Sequence, residues 1–271
     1  MESELYKKLN YSNGQPYSIN KFITEYDLSK ANISSLIQQG YIDKELYNML
    51  YNSDKQFREI YIGNMIRKDR SIYTKIQSGI IEAKRLLFKY NNIEDSDVLS
   101  IKNDAVFILG KDLSITNFLD YYKFNKKNVY TIFMKLCELE FYYFDGIGGL
   151  NNDDVSVDIK GINNSLLIKH SDYMISFICD ICSYIKNGNI NSAISYFNEI
   201  YNAFINRELD KGYYRTFDSQ SNFCIKSNYS TFYIDDINQS DIKYIDINRN
   251  VLVFRDLFSI ISSIYTRNYI S

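Results

Sequence analysis

The 271-residue chain has no tryptophan, one proline (Pro16), one histidine (His170) and four cysteines. A lone histidine rules out His-rich metal clusters. His170 has no nucleophile or acid pattern around it that would make a triad, so no chemistry is assigned to it. The cysteines, Cys137, Cys179, Cys182 and Cys224, are too few for a disulfide scaffold of this length. Cys179-x-x-Cys182 lies in the apolar, helix-like run 173–185 with no second such pair, which reads as buried thiols rather than zinc. Charge of one sign is also missing. With 31 basic and 33 acidic residues the net charge is −2, which excludes a broad electrostatic footprint for nucleic acid and leaves only a localised basic groove. No apolar run approaches the ~20 residues of a membrane span and no signal peptide opens the chain. The expectation is a soluble protein of the reducing cytoplasm with no membrane partner.

What is present describes a globular protein: 45% hydrophobic and 24% charged residues, enough for a sizeable core. The 16% aromatic content comes from 26 tyrosines and 17 phenylalanines. Abundant Ile, Asn, Lys and Tyr with almost no Pro is what AT-rich codons give, which points to a viral, phage or low-GC bacterial gene. A second reading of the tyrosine excess is a set of stacking platforms for bases.

Residues 1–20 form a polar lead-in with turn signals at Asn13-Gly14 and Pro16. Residues 23–36 read as a short strand ending in Asp27 that runs straight into a helix. Helical patterns follow over 43–52 and 54–67, then a longer helix over 70–90 whose stripe is Ile72, Ile76, Ile80, Ala83 and Leu87. Leu99-Ser-Ile-Lys-Asn-Asp-Ala-Val-Phe-Ile-Leu109 is the most informative stretch: two β-branched runs around a polar break, a hairpin with its turn at Lys102-Asn103-Asp104-Ala105. A β-rich block occupies 117–162, helices 165–186 and 189–210, a mixed polar stretch 213–248, and a final helix about 251–265. The chain is therefore expected to be α+β, with an α+β domain over 1–163 and a mostly helical region over 164–271.

Asp27 and Asp104 are the candidate catalytic and metal-ligating residues. Phosphoryl transfer by two metal ions needs carboxylates from separate strands converging on one point, and these two would supply them if their strands are neighbours. Each has an alternative reading: Asp27 as the N-cap of the following helix, Asp104 as ordinary turn chemistry. Asp145-Gly-Ile-Gly-Gly149 precedes no nucleotide-binding helix and reads as a hairpin loop.

This order of parts resembles the palm of template-dependent DNA polymerases, family B above all. Tyr26-Asp27-Leu28-Ser29-Lys30-Ala31-Asn32-Ile33 is similar to the first palm motif, and Lys102-Asn103-Asp104-Ala105-Val106-Phe107 to the hairpin motif with the second metal ligand. Lys126-Lys127-Asn128-Val129-Tyr130 resembles the Lys-Lys-x-Tyr element that holds the primer terminus. Asp158-Ile159-Lys160-Gly161-Ile162 resembles the Lys-Gly segment that leads into the thumb. The resemblance spans roughly 23–210 and implies a palm-like antiparallel sheet with packed helices and a thumb-like helical appendage. It further implies Mg2+ on Asp27 and Asp104, a nucleotide triphosphate met by Arg67, Lys68 or Lys102, and primed or single-stranded DNA held by Lys126, Lys127, Tyr130 and Lys160. Viral or replication proteins would be its partners.

The sequence departs from that pattern. The hairpin has Lys102 or Asn103 where family B carries its first acid, the nucleotide-gripping finger motif has no clean match, and no exonuclease domain precedes Asp27. A catalytically inactive, polymerase-derived protein that binds nucleic acid or serves in the virion is the alternative.

Overall fold

A computed structural model describes residues 3–19, 21–136, 139–144, 156–160, 176–218, 220, 222–227, 229–245 and 251–269. His170, Cys137, Gly146, Gly148, Gly149 and Gly161 lie outside the described residues. The architecture is α+β with open antiparallel sheets. Contacts divide the chain into two compact units: the described residues through Gln15 with Lys21–Val129, and Pro16 to Ile19 with the described residues from Tyr130 onward.

The first unit is built on a six-stranded sheet. Its strands are β1 (Asn10–Ser12), β3 (Ile23–Leu28), β4 (Val98–Lys102), β5 (Ala105–Leu109), β6 (Asn117–Phe118) and β7 (Tyr122–Tyr130), in the order β1-β4-β5-β3-β7-β6. The hairpin β4–β5 closes with Lys102 paired to Ala105, leaving Asn103 and Asp104 as a two-residue turn. Asn103 takes a left-handed φ of 55°, a conformation asparagine tolerates better than most residues. Along β3 and β5 the register runs from Ile23 opposite Leu109 to Asp27 opposite Ala105.

Four helices accompany this sheet: α1 (Ala31–Gln38), α2 (Lys44–Asn52), α3 (Lys55–Lys68) and α4 (Ser71–Tyr90). Asp43 and Asp54 cap α2 and α3 by accepting the amides of Leu46 and Phe57, each at 2.8 Å. The stripe expected on α4 is buried and shares a core with Leu36 of α1, Tyr26 and Leu28 of β3, and Val106 and Ile108 of β5. Each such aliphatic side chain taken fully from water contributes about 1.5–3 kcal/mol.

The second unit holds a four-stranded sheet of β2 (Tyr17–Ser18), β8 (Ile132–Leu136), β9 (Leu139–Phe144) and β10 (Ser156–Lys160), ordered β10-β9-β8-β2. Helices α5 (Ser176–Lys186), α6 (Ile190–Ile205) and α7 (Val251–Tyr269) belong to it, with a small sheet of β11 (Thr216–Phe217), β12 (Phe223–Lys226) and β13 (Thr231–Tyr233). The boundary expected at 163 lies outside the described residues, and contacts divide the chain after Val129. The reason is strand pairing. β8, β9 and β10 bond to one another, and Met134, Phe141, Val157 and Ile159 enter one core with Phe177, Ile181 and Leu257.

The α1–α4 crossing depends on Gly79. A methyl group there would overlap the Cβ of Ser35 and lie 2.8 Å from its Oγ. Helix propensity favours alanine over glycine by about 1 kcal/mol, but a clash anchored on a neighbouring backbone costs about 1–3 kcal/mol. Gly63, in α3, has nothing within 4 Å of the corresponding position. Gly79→Ala is therefore expected to lower, and Gly63→Ala to raise, the urea midpoint of unfolding; shifts of the same sign would show that propensity alone governs both sites.

Candidate functional site

Asp27 occupies the penultimate position of β3, out of phase with the core residues Tyr26 and Leu28. Asp104 is the second residue of the β4–β5 turn. Because Asp27 pairs with Ala105, the register brings the two aspartates diagonally together at one end of the sheet, and the Leu28 amide donates to the Asp104 carbonyl at 3.3 Å. Burial, and then the negative charge of Asp27, push the Asp104 carboxyl up to about 6; Lys84 and Lys127 oppose that shift. Asp27 is not a helix cap. The residue preceding α1 is Lys30, with a left-handed φ of 47°, and no side chain caps that helix.

Both aspartates line a cavity of about 680 Å3 shared with Lys30, Lys55, Arg58, Glu59 and Lys127. The α1 end contributes Asn32, and α4 contributes Tyr73 and Gln77. Arg58 is oriented by a 2.6 Å hydrogen bond from its Nη1 to the Ser53 carbonyl. Lys30 donates to the Tyr51 carbonyl and stands 3.3 Å from the centre of the Tyr51 ring. Desolvation and the nearby Arg58 lower the Lys30 pKa. Lys127 lies 3.5 Å from Glu25, a buried acid of β3 that also accepts from Asn128 Nδ2 at 3.3 Å.

The other residues singled out in the sequence lie elsewhere. Arg67 and Arg70 line a neighbouring cavity of about 370 Å3, and Lys68 is exposed at the end of α3. Arg67 lies nine positions after Arg58, about 13.5 Å along the helix, and the two arginines line different cavities. Lys102 is paired within the sheet opposite Asn10 and Ala105 and does not line the aspartate cavity. Alternation along β7 separates the lysine pair: Lys126 Nζ bonds both oxygens of Asp112, at 2.8 and 3.0 Å, while Lys127 turns to Glu25. In the second unit Tyr130 is fully buried, its hydroxyl donating to Asp158 at 2.8 Å, and Lys160 pairs with the same acid at 2.8 Å. The Cys179 and Cys182 thiols are both raised by burial, Cys179 to about 11, as inert core thiols should be.

Sequence reasoning missed Lys30, Lys55, Glu25 and Lys84, and noted Arg58 only in a basic cluster with Arg67, Lys68 and Arg70. Lys84 left a signal: it falls four residues after Ile80 and three before Leu87, inside the apolar stripe. The pair suits a hard cation. Its donors are all oxygen, and a cation offsets the burial and repulsion that raise the Asp104 pKa. Among the described residues no group of three or more His, Cys, Asp or Glu side chains converges.

The raised Asp104 pKa gives a pH dependence with a definite sign. Below about pH 4 folded and unfolded chains both carry the proton. Between there and about 6 only the folded chain does, so stability falls as pH rises, and the loss is complete above 6. A rise of that size corresponds to roughly 3 kcal/mol. Asp104→Asn is thus expected to raise the melting temperature at pH 7.5 in chelator, with the gain vanishing near pH 4; a gain independent of pH would contradict this origin.

Among the described residues no helix is long and apolar enough to cross a membrane. No curated protein matches the chain. A family model described as "Bacteriophage PBS1 gene 130 protein", a description that names a phage gene product and no activity, matches residues 1–263. With nearly its whole length matched, the chain belongs to the bacteriophage PBS1 gene 130 protein family.

Proposed function

We propose that this phage-family protein acts on nucleic acid through a palm-like first unit, as a metal-dependent nucleotidyltransferase of the DNA polymerase kind. The observation that carries the reading is the meeting of Asp27 and Asp104, 77 positions apart in the chain, in one cavity with four cationic side chains. Asp27 and Asp104 would hold Mg2+, which when bound supplies Lewis-acid charge to an attacking hydroxyl and to a leaving phosphate oxygen. The chain's own groups do the rest. Arg58, with its planar fork already oriented, and Lys55 meet triphosphate oxygens, taking the role the sequence gave to Arg67, Lys68 and Lys102. Lys30 adds positive charge at the start of α1. Lys127 stands beside the acids, where a primer or template phosphate would approach. Positioning and neutralisation of this kind carry most of the rate in phosphoryl transfer.

A second reading has its own support. The hairpin offers Lys102 and Asn103 where a second acid would strengthen cation binding, and this favours a polymerase-derived protein that binds primed or single-stranded DNA without turnover.

The two readings separate in one assay series. Mg2+-dependent incorporation on a primed template, abolished by Asp104→Ala and Asp27→Asn and with a raised nucleotide KM in Arg58→Ala, is expected of the enzyme. Incorporation that persists unchanged in Asp104→Ala refutes the assignment of the site. Salt-sensitive DNA binding with no incorporation selects the second reading.

A further inference from the structure

Lys84 of α4 is 0% exposed, yet it carries an ammonium group. Its Nζ donates to the carbonyl of Lys8 and, at 3.1 Å, to the carbonyl of Asn103, the residue immediately before Asp104. No carboxylate forms an ion pair with it among the described residues. Both of its bonding partners are neutral. A cation kept from water with only carbonyl partners is costly, and cutting it back to a hydrocarbon would merely extend the stripe between Ile80 and Leu87. Its two bonds tie α4 to the segment at Lys8 and to the hairpin turn. Burial lowers the Lys84 pKa to about 8, and the charge of Asp104 opposes that lowering.

The geometry points to Lys84 as a positioning residue: a built-in countercharge that anchors the Asn103-Asp104 turn and keeps Asp104 beside Asp27 before any divalent cation arrives. The inference rests on the metal-site reading above and adds to it a resident cation buried beneath the hairpin. With Lys84 in place the two acids are held together in the cation-free protein, so the site is formed in advance rather than assembled by the ion. Without it, their repulsion falls on the turn, and an added divalent ion has more to relieve.

Thermal melts of the full chain at pH 7.5, with chelator or with Mn2+ as the probe, test this in four forms: parent, Lys84→Met, Asp104→Asn and the double variant. Mn2+ is expected to raise the melting temperature of Lys84→Met more than that of the parent. In chelator, Asp104→Asn should be more stabilising in the Lys84→Met background than in the parent. A Lys84→Met loss that is equal with and without Mn2+, together with equal Asp104→Asn gains in both backgrounds, would reduce Lys84 to a packing residue and overturn the inference. If Lys84→Met does not fold, recovery of a folded protein on adding Asp104→Asn supports the inference, and failure to recover overturns it. If Mn2+ moves none of the four forms, the metal-site reading falls, while the coupling in chelator still decides the role of Lys84.

Discussion

Repulsion between two carboxylates at one end of an antiparallel sheet is the constraint around which the first unit is arranged. The rise of the Asp104 carboxyl to about 6, caused by burial and then by the charge of Asp27, corresponds to roughly 3 kcal/mol. That is a large fraction of the stability of an ordinary domain. The cations nearby come from four separate places: the start of α1, the first turns of α3, β7 and the interior of α4. Of these, Lys84 and Lys127 act directly on the Asp104 carboxyl, while Lys30, Lys55 and Arg58 line the cavity that it shares with Asp27.

The aromatic excess resolves into two populations. Tyr26, Tyr130, Tyr142 and Tyr214 lie in cores, where they supply the bulk that tryptophan supplies in other proteins. Each buried hydroxyl then needs a partner: Tyr26 accepts the Leu113 amide at 2.7 Å, Tyr142 donates to Glu140 at 2.9 Å, and Tyr214 donates to the Phe204 carbonyl at 3.2 Å. Tyr41, Tyr51 and Tyr73 remain exposed on the helical side of the first unit, two of them with a lysine over the ring. Burial accounts for where much of the tyrosine goes.

Local patterns were legible wherever one element carried its own signal. Alternation and turn chemistry gave the 98–109 hairpin, periodicity gave the α4 stripe, and the strand ending near Asp27 was visible from its β-branched run. The pairing of Asp27 with Asp104 was legible only as a condition, because sheet order is not written in either strand. Arg58 was noticed only as part of a basic cluster with Arg67, Lys68 and Arg70, because nothing local says which face of α3 meets the strand ends. Its neighbours Arg67 and Arg70 line a different cavity from the one that holds Asp27 and Asp104. The boundary at 163 followed a change of composition, whereas contacts obey strand pairing, which ties 132–160 to the helices that follow. Asp27 read as a cap because Asp before a helix usually is one. The three intervening residues and a left-handed Lys30 remove it from that position.

Gly79 and Lys84 lie five residues apart on α4, about 7.5 Å along its axis and about 140° around it. One is pressed against Ser35 with no room for a side chain, and the other reaches into the hairpin turn on a different side. The helix is therefore keyed at two bearings. Rolling by a single residue, or sliding by one turn, would drive a side chain into α1 at the first bearing or withdraw the ammonium at the second. These two contacts fix both the rotation and the register of α4 against α1 and the hairpin turn.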